Sequence, residues 1–530
     1  MPRLAEIANV DTGRKDLGRP MRLLAAFRGE IGGASRPRII GQVAVAILLL
    51  ASLCIGHPAS SNKVHRVSPP QTTFPKIVAL LQQKKYLAAK QQLSRLKLQY
   101  PHSARAFYLL GTAEYHLGEL GEAESSFRRS LAINPNSPNT LYDLGILLLD
   151  LRRPATAIQY LEHSQKLMPP NRALSINLIR AYLDSGQESQ ARRIAESSEQ
   201  KFHDSPAFFL ALGNCFLHHG LAGQGRAALE RANRLMPAQP EIVLPLAEAC
   251  LQQRDIPCAT RSLEAVRRQG QTIAQYHFLM AQKNFLAGQQ SECLTEMQEA
   301  LRLDPRNSGY LLALGRYEQK YGQQNQAIQV LKRAESLDPQ QPEIPYSIAV
   351  SLAVENHFRR AAAYLDRALS LRPNYVRALF LEALSNLALA NYAKTDRLLL
   401  RALRLNPQNP FCETFLAMSY LSEGKLSGAE TQLRRAIALD PSYALPHYEL
   451  GHVFLLQNNL VGERDEEEKA VTLDPHLYEA YYLLGGVFER LGEKQKAAKA
   501  FATFHKYVAV RNSQNQEMMR QIQRIVRQQH

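Results

Sequence analysis

The sequence predicts an all-α solenoid of 34-residue helix-turn-helix repeats, ended by a C-terminal capping helix. Three observations predict it. Prolines stand at 101, 135, 169, 237, 305, 339, 373, 407, 441 and 475, all in one phase, with His203 and Gln271 interrupting the series. Counting places from residue 104, so that Pro135 is at place 32, a small residue recurs at place 8 (Gly111, Gly145, Gly213, Ala281, Gly315, Ala349, Gly451, Gly485) and at place 20 (Ala89, Ala123, Ala157, Ala191, Ala327, Ala361). A bulky apolar residue recurs at place 24, as in Phe127, Leu161, Leu331, Leu365, Leu433 and Phe501.

Taken in order, the chain opens on a basic leader, 1–38, with eight Lys/Arg against four Asp/Glu. Residues 39–56, IIGQVAVAILLLASLCIG, carry no charge, and as a helix they span about 27 Å, close to the ~30 Å hydrocarbon core of a bilayer. This predicts a single-pass transmembrane anchor. The short N-terminus stays cytoplasmic and the repeats are translocated to the periplasm or another extracytoplasmic space. A signal peptide, with the repeats secreted after cleavage, is the alternative. Leu53 before Cys54 speaks against a lipoprotein. Residues 57–69 form a Pro/Ser-rich linker, residues 70–511 an array of about thirteen repeats, and residues 512–530 a helix placing Met518, Ile522, Ile525 and Val526 on one face to cover the last repeat.

Each recurrent place has a physical reason. Small residues at places 8 and 20 let the two helices of a hairpin approach closely. Place 15 is often Gly or Asn (Gly118, Gly186, Gly322, Asn356, Gly424, Asn458), as expected where the first helix ends in the left-handed region. The place-32 proline has no N–H to donate and stops the second helix. In the repeat 444–477, places 20 and 24 are Glu463 and Glu467, inside the run GERDEEEKA. An unpaired carboxylate in those slots is costly, so either the helix is shifted or frayed there, or the surface is a partner site.

Phe107, Leu110, Gly111, Ala123, Phe127 and Pro135 together resemble the consensus of the tetratricopeptide repeat family, and the resemblance runs over about 70–511. That family's tyrosine is kept at Tyr182 and Tyr420 and replaced by Phe216, Phe454 and Phe488 elsewhere; no tryptophan occurs in the chain. The resemblance implies a right-handed superhelix whose first helices line a concave groove, and a role in protein binding. The family's chaperone-type carboxylate clamp does not carry over, because Leu210 replaces the lysine a turn before Asn214. The Asn ladder of its glycosyltransferase-linked members is also missing.

The chemistry-bearing motifs are absent from the sequence: no phosphate-binding GxxxxGK[ST], no GxGxxG after a strand, no HExxH and no GxSxG. Repeats, leader and cap use up the chain, so it is expected to be no enzyme, with no catalytic residue, cofactor or metal, and no nucleic acid or small-molecule substrate. Six cysteines occur without a CxxC pair. Cys250 and Cys258 lie on opposite arms of one hairpin and can meet in a disulfide if the compartment is oxidising. The formal net charge of +16 fits either a solvated basic exterior or attraction to anionic partners.

The expected function is a non-enzymatic protein–protein interaction scaffold, membrane-anchored or exported, that binds peptide segments of unnamed partners in the groove. A scaffold subunit of a secretion or polysaccharide-export assembly is the alternative, with a glycosyltransferase-associated enzyme behind it. The groove is expected to be lined by places 2, 5, 9 and 12 of the first helices, which share one stripe. In 342–477 that stripe is apolar, and the candidate contacts are Tyr346, Val350, Phe380, Leu384, Leu387, Phe411, Met418, Leu421 and Tyr448.

Overall fold

A computed structural model describes residues 73–509, and every regular element in them is a helix. The protein is an all-α solenoid of paired helices, and the described residues fall into two compact units, 73–267 and 268–509. In the first, hairpins such as 104–116/120–133, 138–150/154–167 and 206–218/222–235 follow one another. In the second, 308–320/324–337, 376–388/392–405, 410–422/426–439 and 444–456/460–473 do the same.

The start of a first helix is set by the residue at place 34. Ser103, Asn171, Ser205, Asn307 and Asn409 each accept a hydrogen bond from the backbone N–H three residues on, for instance Cys412 N to Asn409 Oδ1 at 3.1 Å. This satisfies one of the helix's otherwise orphaned donors. The end of the first helix is set at place 15, where the chain turns through positive φ: +80° at Gly118 and +76° at Gly424. Lys84, Arg152, Arg254 and Ala390 adopt the same conformation with φ of 57–59° and no glycine to ease it.

The core is a repeated lock between place 8 and place 24. A Cβ added to Gly111 would lie 2.7 Å from the Phe127 ring, and one added to Gly145 would lie 2.5 Å from Leu161. The bulky residue therefore fills the space that the glycine vacates. In the hairpin 172–184/188–201 the sizes are exchanged, with Ile179 at place 8 and Ala195 at place 24, both buried. Conserving volume across the pair keeps the interior close-packed.

The single-pass membrane expectation is corrected. Among the described residues no helix is long and apolar enough to cross a membrane, so the transmembrane helix, attachment to a membrane through it and the topology drawn from it are not retained. Residues 39–56, like the linker and the cap over 512–530, lie outside the described residues. Cys250 and Cys258 form a disulfide joining the two helices of the hairpin 240–252/256–265.

Candidate interaction face

The candidate contacts arise from helices 343–354, 376–388, 410–422 and 444–456, the first helices of four consecutive hairpins. Eight of the nine are half-buried, and Leu384 is in the core at 2% exposure. Tyr346 and Val350 pack on the core around Ile344, Ile348 and Leu365. Phe380, Leu387 and Met418 lie against the cluster of Leu379, Leu399 and Leu416 that also takes in Leu384. Leu421 rests on Leu433 and Leu450, and Tyr448 on Ala470, Leu477 and Ala480.

Three of the aromatic members each meet another ring. Tyr346 stands 5.0 Å from Tyr375, Phe380 5.5 Å from Phe415 and Phe411 4.9 Å from Tyr443, ring centre to ring centre. Tyr375 and Tyr443 occupy place 34, where five other repeats put a capping Ser or Asn, and neither makes a side-chain cap. In this stretch the cap of the following first helix is given up for a ring contact with the first helix of the same repeat. Burial raises the hydroxyl pKa of Tyr346, Tyr375, Tyr443 and Tyr448 well above the ordinary phenol value. These rings are neutral, apolar surfaces with a polar tip.

Carboxylates lie beneath the same helices. Glu382 pairs with Lys394 at 2.6 Å, and Glu413 with Arg435 at 3.0 Å. Glu449, Glu463 and Glu467 converge between helices 444–456 and 460–473, at 7%, 1% and 0% exposure. Burial pushes Glu449 up to about 7 and, with help from the surrounding Glu463, Glu449 and Glu466 charges, Glu467 up to about 10. Arg490, 3.5 Å from Glu463, moderates the upward shift that burial imposes there. Helix 460–473 is nevertheless continuous, so the acidic run is neither shifted out nor frayed.

In the unit 73–267 the first helices carry a polar chain that sequence reasoning missed. The Tyr115 hydroxyl donates to Asp150 at 2.6 Å, and Arg180 lies 3.6 Å from both Asp150 and Asp184. His219 then meets Asp184 at 3.1 Å through Nε2, while its Nδ1 lies 2.7 Å from the Cys215 carbonyl. The hydrogen bond to Asp184 pushes His219 up to about 10, so it is charged at neutral pH. The signal was available: Tyr115, Asp150, Asp184 and His219 are spaced 34 or 35 apart. No group of three or more metal-ligating side chains is found among the described residues.

Family models described as tetratricopeptide repeat match residues 75–138, 346–410, 148–215, 126–159 and 479–508, and a TPR repeat model matches 418–458. No curated protein matches the sequence. Among solved structures, yeast Tom70 is similar at 15% identity over 77% of this chain and 98% of its own, with a TM-score of 0.41. Human IFIT1, a dimer with PPP-AAAA, is similar at 15% over 74% and 95%, with a TM-score of 0.42. MamA of Desulfovibrio magneticus RS-1 is similar at 20% over 32% and 96%, with a TM-score of 0.31. These distant likenesses say nothing of what this chain binds.

Proposed function

The chain belongs to the tetratricopeptide repeat family, and on that premise we propose that it is a non-enzymatic scaffold binding peptide segments of partner proteins along the first-helix face of 342–477. The observation that carries this reading is the run of half-buried apolar side chains on four successive first helices, from Tyr346 and Val350 through Phe380, Leu387, Phe411, Met418 and Leu421 to Tyr448. Contiguous apolar surfaces of this kind mark interaction sites. The rings of Tyr346, Phe380 and Phe411 are each held by a neighbouring ring, so little rotamer freedom is lost when a segment docks. Leu384 lies too deep to touch a partner and acts by supporting Phe380 and Leu387.

The test is a photo-crosslinking scan. A benzophenone amino acid placed at 380, 411 or 448 should capture discrete protein adducts in cells, and the same group at exposed Thr431 on the second-helix side should not. Equal labelling at all four positions would contradict the assignment of this face.

A further inference from the structure

A second surface lies on the other layer of the same unit. Place 25 sits on the outer side of the second helix and reads Ser94, Arg128, Glu162, Glu196, Glu230, Glu264, Gln298, Lys332, Asp366, Leu400, Arg434, Glu468 and Ala502 along the chain. Leu400 is the one large apolar residue in the series, and it is 41% exposed. Leu405 is equally exposed, but place 30 also leaves Leu167, Leu235, Leu337 and Leu473 open, so it is a property of the repeat. Leu400 is a departure from the lattice, and nothing in the packing of helix 392–405 requires it.

The surroundings of Leu400 are cationic. Arg397, Leu400, Arg401 and Arg404 fall on one stripe of helix 392–405. Helices 358–371 and 392–405 carry seven Lys/Arg against two Asp, and the Lys394–Asp366 contact of 3.4 Å shows that they are neighbours. Arg401 is held by the Pro373 carbonyl at 2.6 Å and Lys394 by Glu382. By contrast, Arg359, Arg360, Arg397 and Arg404 find no side-chain acceptor among the described residues.

We propose that this second-helix face of 358–405 docks an acidic amphipathic segment of a partner protein, its carboxylates meeting Arg397 and Arg404 and one apolar side chain covering Leu400. The chemistry selects that occupant. Guanidinium groups free of internal partners donate to carboxylates in bidentate geometry, and the local excess of positive charge steers an acidic segment to the surface. A single-stranded nucleic acid would need exposed rings to stack on, and Tyr364 and Tyr392, the tyrosines of these two helices, are half-buried. An anionic bilayer would need a broad apolar surface, whereas here one leucine sits among arginines.

The probe is a fluorescein-labelled synthetic helix with glutamates flanking one leucine, titrated against the full chain by anisotropy. Arg397→Glu with Arg404→Glu should weaken binding at least tenfold, and Leu400→Asp should do the same. Gln298→Asp, exposed at the same place of a repeat outside 358–405, should leave the affinity unchanged. Because the three substituted side chains are exposed, the melting temperature should stay within a degree or two of the wild type. The proposal is overturned if the wild type does not bind the peptide, or if the folded variants bind it as tightly as the wild type. It is also overturned if oligo(dT) or phosphatidylglycerol vesicles displace the peptide in a manner sensitive to Leu400→Asp.

Discussion

The carboxylate of Glu467 occupies the space that a side chain on Gly451 would need, with Oε1 2.5 Å from the position of a Cβ there. In the neighbouring repeats Leu433 and Phe501 fill the equivalent slot, Phe501 against Gly485 as Glu467 does against Gly451. Glutamate thus serves as a plug of suitable length but the wrong polarity. Neither of its oxygens finds a hydrogen-bond partner among the described residues.

Replacing the carboxylate should therefore stabilise the hairpin. Glu467→Leu is expected to raise the stability of the 268–509 unit by about 1–3 kcal/mol, the cost of an unsatisfied buried polar group. Glu467→Gln should give less. Urea unfolding midpoints of the two variants and the wild type measure the difference, and a Leu variant less stable than the wild type would contradict the reading.

The same group sets a pH dependence. Folding raises Glu467 to about 10 and Glu449 to about 7, both above the ordinary carboxylate value. The folded hairpin therefore holds protons that the unfolded chain has released, and stability falls as pH rises. The loss begins above the unfolded pKa near 4.5 and continues through about 10. Hydrogen exchange of 444–473 should quicken from pH 5 to pH 10 beyond the intrinsic rate, and Glu467→Gln should remove most of that excess.

His219 gives the second titration, in the unit 73–267. Its folded pKa of about 10 exceeds the unfolded 6.5, so the contribution of the Asp184 pair is fully present below 6.5 and is lost as pH rises through about 10. NMR of the His219 ring should show no deprotonation between pH 6 and 8, and His219→Asn should flatten the pH dependence of melting of this unit over the 6.5–10 window. A ring titrating near 6.5 would rule the pairing out.

Ala390 turns through a φ of 57°, where a Cβ is strained and glycine is not. Ala390→Gly should stabilise by about 1 kcal/mol, and Gly424→Ala, at the same place with φ +76°, should destabilise by a similar amount. Thermal melts of both decide the matter.

Among the cysteines of the described residues, alkylation of the unfolded, unreduced protein should label Cys215, Cys293 and Cys412 and leave Cys250 and Cys258 joined in one peptide pair. Recovery of alkylated Cys250 would show that the hairpin is not crosslinked.

The prolines and the small residues at places 8 and 20 made the helical hairpins legible, because each marks a backbone requirement that recurs. Where side chains or context meet the requirement instead, the signal fails. Arg152 and Ala390 take the left-handed turn without a glycine, Ile179 and Ala195 exchange large for small, and Glu467 fills an apolar slot without disturbing its helix. The candidate face was legible only as a stripe. Helical angle places Leu384 on the stripe with Val350 and Met418, but the depth to which the next repeat covers it is a tertiary fact, and there it is buried. Tyr375 and Tyr443, the aromatic residues at the capping place, mark the repeats in which that place contacts a ring of the first helix.

The central claim is that the first-helix face of 342–477 binds protein segments. The most direct measurement is the affinity of the segment crosslinked to position 411 for the wild type and for Phe380→Ala/Tyr448→Ala. Aromatic anchors contribute about 2 kcal/mol each when they lie at the centre of an interface. The account predicts a loss of at least a hundredfold in affinity with the fold intact by circular dichroism. An unchanged dissociation constant would contradict it.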